Sequence, residues 1–240
     1  MRLFKSLKKH SFFWLIKLFL KRLVGRELWL KKELDIKTVI LGEWEFSLQY
    51  LNENGIVYSL GVGDSIDFDI EIIKHSNAFV FAFDPTPYAM KWIDNQVIPK
   101  RLKFYPWAVS GKDGEFNMTQ RVNPKGHKSE IMWTELLPNE HSDNIITVPS
   151  FSIGSIMRKL NHNKIDLMKV DVEGTEYEII DYLLQNKITP KQLLIEFHHR
   201  FESKSIVMTK IAIKNLQNIG YEIFSISETG REVGFIYSKD

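Results

Sequence analysis

Four ionisable side chains, paired at a spacing of two at the ends of two apolar runs, are where this sequence can do chemistry. The first pair is Asp171 and Glu173, in the run Ile165-Asp-Leu-Met-Lys-Val-Asp171-Val-Glu173-Gly174-Thr-Glu176. The second is Glu196 and His198, at the end of Leu193-Leu-Ile-Glu196-Phe-His198. Side chains alternate across an extended backbone, so each pair shares a face if the backbone stays extended past Val170. Carboxylates and an imidazole meeting in one strand-end crevice acquire shifted pKa values and can move a proton. With an ordinary pKa of about 6.5, His198 is the strongest candidate base. Glu173 is the next, either as base or as a group that orients a hydroxyl. A structural reading competes: Asp171 and Glu173 as helix N-terminal acids, Glu196 paired with Lys169 or Arg200, and His199 structural or exposed. The same four side chains are oxygen or imidazole ligands, but their spacing forms no specific metal motif, and no metal site is assigned.

The elements that must carry these residues follow from hydrophobic patterning. Short apolar runs alternate with helical periodicity from residue 55, which predicts a parallel sheet with helical crossovers. Strands are expected at Ile56–Leu60, Phe79–Phe83, Leu102–Val109, Ile165–Val170, Leu193–Phe197, Tyr221–Ser227 and Glu232–Tyr237. Helices are expected near Asp67–His75, Tyr88–Asn95, Ile153–Leu160, Glu176–Gln185 and Lys204–Ile219. The turn Glu228-Thr-Gly-Arg231 is too short for a parallel crossover, so the last two strands must form an antiparallel hairpin. Residues 120–147, with Pro124, Gly126 and Pro138, read as a long lid or binding loop, or a disordered one, with Trp133 pinning it or shaping a pocket.

Gly61 and Gly63 sit where the first strand meets a helix and let the backbone turn tightly beside a ligand. Ile66 stands where a dinucleotide fingerprint needs its third glycine, which disfavours NAD and FAD. Asp84 ends the second strand, about 20 residues further on, in position to accept hydrogen bonds from ribose hydroxyls. The competing role for Asp84 is a helix cap, with Pro85 at the first helical position.

The 165–176 run resembles the (I/L)D-x-x-K-(I/V)-D-(I/V)-E-G-x-E segment of the FkbM-type S-adenosylmethionine-dependent methyltransferases, over approximately residues 55–240. The resemblance implies a Class I methyltransferase fold: an α/β, Rossmann-like, mostly parallel seven-stranded sheet with a C-terminal antiparallel hairpin. It implies S-adenosyl-L-methionine as cofactor, held by Gly61, Gly63 and Asp84 (ribose), with adenine near Ala108 and Asp171 near the methionine portion. The family's glycine turn is D-x-G-A-N-x-G; here Ser59-Leu-Gly61-Val-Gly63-Asp64-Ser65 lacks the leading acid and the last glycine, and Asp64 stands as the substitute partner for the cofactor's amino group. The implied activity is methyl transfer to a hydroxyl of a saccharide or lipid-linked glycan, with His198 and Glu173 as base candidates. Two rivals remain. One is a non-catalytic scaffold that keeps the fold at a membrane or complex. The other is a glycosyltransferase using Asp67-Phe-Asp69 as a metal–nucleotide-sugar motif, disfavoured because those acids fall within a predicted helix.

Composition sets the remaining bounds. A hydrophobic content of 44% over 240 residues supports one large domain with a full core. The absence of cysteine excludes disulfides, thiolate catalysis and Cys-based zinc, and fits a cytoplasmic setting. Residues 1–32 hold ten Lys/Arg and one acid, net +9, whereas the remainder carries 22 Lys/Arg against 29 Asp/Glu, net −7. A basic head on an acidic body argues against a nucleic-acid surface. Residues 1–54 are read as an N-terminal basic amphipathic helical segment and 55–240 as the methyltransferase domain. Phe12, Leu15, Ile16, Phe19 and Leu23 fall on one helical stripe too interrupted by charge to span a bilayer. The stripe fits either a helix lying on an anionic membrane, where each basic residue adds about 1 kcal/mol, or one docked on its own domain or a partner.

Overall fold

The structure, a computed structural model, describes residues 12–122, 126–136, 142–201 and 203–239. Helix α1 (Phe12–Leu23) is followed by the short strands β1 (Val39–Leu41) and β2 (Trp44–Phe46), and then by β3 (Ile56–Leu60), α2 (Asp67–Ser76), β4 (Phe79–Phe83) and α3 (Pro87–Ile93). Next come β5 (Leu102–Tyr105), β6 (Ala108–Val109), β7 (Gly114–Val122), β8 (Lys128–Glu135), β9 (Ile145–Phe151) and α4 (Ile153–Leu160). The chain ends with β10 (Leu167–Val170), α5 (Glu176–Asn186), β11 (Gln192–Glu196), α6 (Ile206–Ile219), β12 (Tyr221–Ile226) and β13 (Glu232–Tyr237).

Seven strands form the main sheet in the order β12-β13-β11-β10-β3-β4-β5. The five strands from β11 to β5 run parallel, and β12 and β13 form the antiparallel edge expected from their short turn. Strand order runs outward from β3 through β4 to β5 and outward the other way from β10 to β11, so the topology switches between β3 and β10. In open α/β sheets ligands bind outside the carboxyl ends of the strands at that point.

Period-two alternation sends one set of side chains to each face. Tyr58, Leu60, Met168, Val170, Leu193 and Ile195 join the core against α4, α5 and α6. Val57, Val80, Ala82, Leu167 and Leu194 face the other layer, which includes Phe68 and Ile72 of α2 with Trp44, Phe46 and Leu51. Local capping agrees with this plan: Thr86, Ser152 and Ser205 each accept a backbone N–H in the first turn of their helices, and Gly220 closes α6 in a left-handed conformation. Pro87, not Pro85, opens α3, because Thr86 is the cap.

Three expectations change. The strand read as Leu102–Val109 breaks at Pro106, which has no N–H to give a ladder; β5 stays in the main sheet while β6 pairs with β9 in a second one. The stretch read as a long loop is largely β-structure, with β7 pairing antiparallel to both β8 and β9. Only Phe116, Met118 and Trp133 of β7 and β8 join Ala108 in its buried cluster, so most of the hairpin is polar, and a half-solvated hairpin of that composition reads as loop. Trp133 is buried there and donates its Nε1–H to the Glu130 carbonyl, pinning the hairpin as one reading expected; Pro124 and Pro138 lie outside the described residues. Finally, residues 39–46 form a two-stranded ladder rather than helix, and Trp44 and Phe46 are buried.

Candidate active site

Gly61 follows β3 in the left-handed region, with φ of +82°, and its carbonyl accepts a 2.6 Å hydrogen bond from Lys169 Nζ. A Cβ at Gly61 would stand 1.8 Å from the Asp171 carbonyl oxygen. The two chain segments at the switch point therefore touch backbone to backbone, and only glycine permits it. Gly63 is also left-handed (φ +58°), and a Cβ there would meet nothing nearer than an Ile131 methyl at 3.8 Å. Asp84 holds this turn in shape. Its Oδ2 accepts from the Val62 and Gly63 amides, both at 2.9 Å, and its Oδ1 accepts from the Thr86 amide and hydroxyl. Those four bonds fill the acceptor capacity of a carboxylate. A ribose hydroxyl reaches Asp84 only by replacing one of them. Asp64 is exposed on the same turn.

The 165–176 run supplies a scaffold as well as a site. Asp166 Oδ2 accepts from the Ile56 amide at 2.8 Å, tying the start of β10 to β3. Lys169 is buried beneath Gly61, lies 3.8 Å from Asp171 and sits over the Trp44 ring. Past Asp171 the backbone does not stay extended: Glu173 has φ of +50° and Gly174 +116°. The shared-face argument for Asp171 and Glu173 therefore fails locally, yet the turn still brings both to His198. Glu176 is fully buried, accepts from the Gly174 amide at 2.9 Å and the His198 amide at 2.8 Å, and lies 3.5 Å from His198 Nδ1. It fixes the turn and the imidazole together.

On its other side, His198 Nε2 faces three carboxylates at nearly equal distance: Glu173 at 3.8 Å, and Asp171 and Glu196 at 3.9 Å. Burial alone would lower the imidazole pKa, but Glu176, Glu173 and Glu196 outweigh it and push the value up to about 9. His198 is thus an imidazolium at neutral pH. The expectation of a neutral base near 6.5 assumed an unperturbed ring. Glu196 and Glu173 shift toward neutrality instead. Burial, then the charge of Asp171, lifts Glu196 to about 7 against the opposing pull of His198 and Arg231. Burial likewise raises Glu173, opposed by His198 and Arg121. Glu176 moves the other way: its contacts with His198 overcome desolvation and hold it below the ordinary range.

Of the residues singled out from sequence, the structure brings Asp171, Glu173, Glu196 and His198 together, with Gly61 against Asp171. Ala108 stands apart, since its side chain packs with Phe116, Met118 and Trp133. His199 is buried against Glu27 at 3.2 Å, the structural reading. Glu196 pairs with Arg231 at 3.1 Å rather than with Lys169 or Arg200. Asp69 is buried in the first turn of α2. Burial raises its pKa to about 6, with Lys169 opposing. Asp67, in the same turn, is exposed; the pair makes no common metal site.

Three contributors escaped the sequence reading. Glu176 was visible as the last acid of the motif, but its burial was not. Arg121 was hidden in the supposed loop; its guanidinium lies over the Phe201 ring and 3.4 Å from Glu173. Thr134 of β8 donates to the Glu173 carbonyl at 3.0 Å, so the hairpin covers the chemical end of the crevice. Asp171, Glu196 and His198 also offer ligand atoms within 4.8 Å of one another, with Lys169 3.8 Å from Asp171 and Arg231 3.1 Å from Glu196.

Among solved structures the chain is similar to a fibrillarin pre-rRNA processing protein of Methanococcus jannaschii (TM-score 0.46, 12% identity, 88% of this chain and 86% of that one). It is also similar to a precorrin-6y C5,15-methyltransferase of Geobacter metallireducens GS-15 (TM-score 0.41, 12% identity, 79% and 82%) and to an Aeropyrum pernix fibrillarin with natively bound S-adenosyl-L-methionine (TM-score 0.37, 13% identity, 79% and 68%). No protein of curated function matches its sequence. Residues 33–223 match the methyltransferase FkbM domain, spanning the glycine turn, Asp84 and both halves of the acidic cluster, and the chain belongs to that methyltransferase family.

Proposed function

We propose that this protein transfers a methyl group from S-adenosylmethionine to a hydroxyl oxygen, with a saccharide or lipid-linked glycan as the acceptor class. The observation that carries the reading is the meeting of the bare glycine turn with Asp171, Glu173, Glu196 and His198 at the switch point of the sheet. S-adenosylmethionine fits the residues present. Gly63 leaves backbone open to a flat, charged ligand, Asp84 stands at the ribose end, and the carboxylates around His198 complement a sulfonium. When bound, the cofactor supplies an electrophilic methyl. The chain's own part is to align an acceptor oxygen with that methyl and to take its proton.

A group with pKa near the working pH is the best compromise between being ionised and being basic. Glu196 meets that condition, and Glu173 is shifted in the same direction by burial. His198, charged and anchored by Glu176, holds its Nε2 3.8–3.9 Å from Asp171, Glu173 and Glu196 and keeps these carboxylates close together. Hydroxyl acceptors suit this arrangement because a weakly acidic O–H must lose its proton during transfer. The rival scaffold role has no need of such a cluster.

The test is transfer of labelled methyl from S-adenosylmethionine to a panel of saccharides, small phenols and peptides. Label on saccharide hydroxyls is expected. Label confined to nitrogen or to peptide would exclude the proposed acceptor, and no turnover with any acceptor, together with no cofactor binding, would favour the scaffold.

A further inference from the structure

Helix α1 turns its apolar face away from the protein. Leu15, Ile16, Phe19, Leu20, Leu23 and Val24 form a continuous stripe and are all exposed, Val24 by 68%. Leu18, on the opposite side, is 4% exposed and faces inward. Trp29 extends the stripe, edge-on to Phe19 at 5.7 Å, with its Nε1–H satisfied by the Arg22 carbonyl. Lys17 and Arg26 are exposed along the same segment. A solvent-facing stripe of this size on one helix is not what a docked amphipathic helix presents, since docking would bury it.

The helix is nonetheless fixed to the domain. Glu27, immediately after it, is buried and takes hydrogen bonds from His199 Nε2 and Arg200 Nε, and Lys21 Nζ lies 3.9 Å away. Arg22 approaches the β12–β13 turn, where a Cβ at Gly230 would stand 3.1 Å from its Nη2. His199 and Arg200 directly follow His198. The apolar stripe is therefore anchored at the same strand end that carries the acidic cluster.

We infer that α1 with Trp29 is a docking surface for an anionic lipid bilayer, lying in the interface with Phe19, Leu20, Leu23 and Val24 among the acyl chains. Charge decides the occupant. Residues 1–32 carry a net +9, which attracts an acidic headgroup layer. A second copy seated on this face would bring two such segments together at a cost. Its own acidic body cannot cover the stripe, because Leu18 and Glu27 already commit the opposite side of the segment to it. Among the described residues no helix is long and apolar enough to cross a membrane, so the surface lies on the bilayer rather than spanning it. The inference stands on exposure and charge, independent of the methyltransferase chemistry.

Co-sedimentation of the full chain with phosphatidylcholine vesicles, with and without about 30% phosphatidylglycerol, tests it. The protein is expected to pellet with the anionic vesicles and to be released by added salt. Phe19→Glu/Leu23→Glu should lower the bound fraction about 10-fold or more, with far-UV circular dichroism and cofactor binding unchanged. Equal binding by that variant, equal binding to neutral vesicles, or no binding to either would overturn the inference. So would a concentration-dependent dimer dissolved by the same substitutions in a protein that ignores vesicles, which assigns the face to a second copy.

Discussion

Gly61→Ala is expected to abolish measurable binding of S-adenosylmethionine and to destabilise the fold by more than about 3 kcal/mol. The physical cause is local and double. At φ of +82° an alanine pays the left-handed penalty, and its methyl would have to occupy space 1.8 Å from the Asp171 carbonyl oxygen. Relief requires β3 and β10 to part at their carboxyl ends. That movement breaks the 3.0 Å bond from the Asp171 amide to the Leu60 carbonyl and lifts Gly61 from Lys169. Gly63→Ala is the matched control. It has the same left-handed strain, with φ of +58°, but only an Ile131 methyl within 4 Å of the added carbon, so it should fold with a loss of about 1 kcal/mol and bind cofactor more weakly. Calorimetry and thermal unfolding on the two variants check both parts. Equal behaviour would mean that contact at the switch point is not what makes Gly61 necessary.

Replacing Glu196 by Gln should lower the rate of methyl transfer by about 10²- to 10⁴-fold while leaving cofactor affinity within a few-fold. The wild-type rate should rise as the pH climbs through about 7, where Glu196 ionises, and this limb should be missing from the variant. Stability moves in the opposite sense. A carboxyl whose folded pKa is raised binds its proton more tightly in the folded state, so its contribution is complete below the unfolded value and is lost as the pH rises. For Glu196 that window runs from 4.5 to about 7. For His198, also raised, it runs from 6.5 to about 9. Wild-type protein should therefore unfold at lower temperature at pH 9 than at pH 6, and Glu196→Gln should recover part of the loss above pH 7. A variant that is both slower and more stable at pH 8 separates a catalytic carboxylate from a merely structural one. His198→Ala should be slower and less stable, because four carboxylates then face one another with their central cation gone.

Much of this was legible in the residues, for reasons that can be named. The parallel strands of the main sheet were readable because a buried parallel strand is a short apolar run, ended by glycine or acid in Ile56–Leu60 before Gly61 and Phe79–Phe83 before Asp84. The edge hairpin followed from a turn too short to cross over. The second sheet was not legible, since its β7–β8 hairpin buries few apolar side chains, and polar residues dominate both its strands. The acids of the cluster were found by their places at strand ends, but the extended backbone that would set Asp171 and Glu173 on one face ends at a left-handed turn at Glu173. What sequence cannot give is the field those groups create for one another. His198 looks like a base of ordinary pKa until four carboxylates are seen around it, and Glu176 looks like a surface helix acid until its burial beneath the His198 amide is known. Asp84 is the intermediate case. It sits at the ribose end as read, but the turn itself uses all of its acceptor capacity.

The most direct measurement is a crystal structure with S-adenosylhomocysteine bound. Its sulfur is expected in the crevice between Asp171 and Glu196, with the ribose replacing the Val62 or Gly63 amide on Asp84 and the vacant methyl position facing Glu196 and His198. A ligand bound with its sulfur away from this cluster, or at the second sheet with Gly61 and Asp84 unmoved, would contradict the assignment of the site.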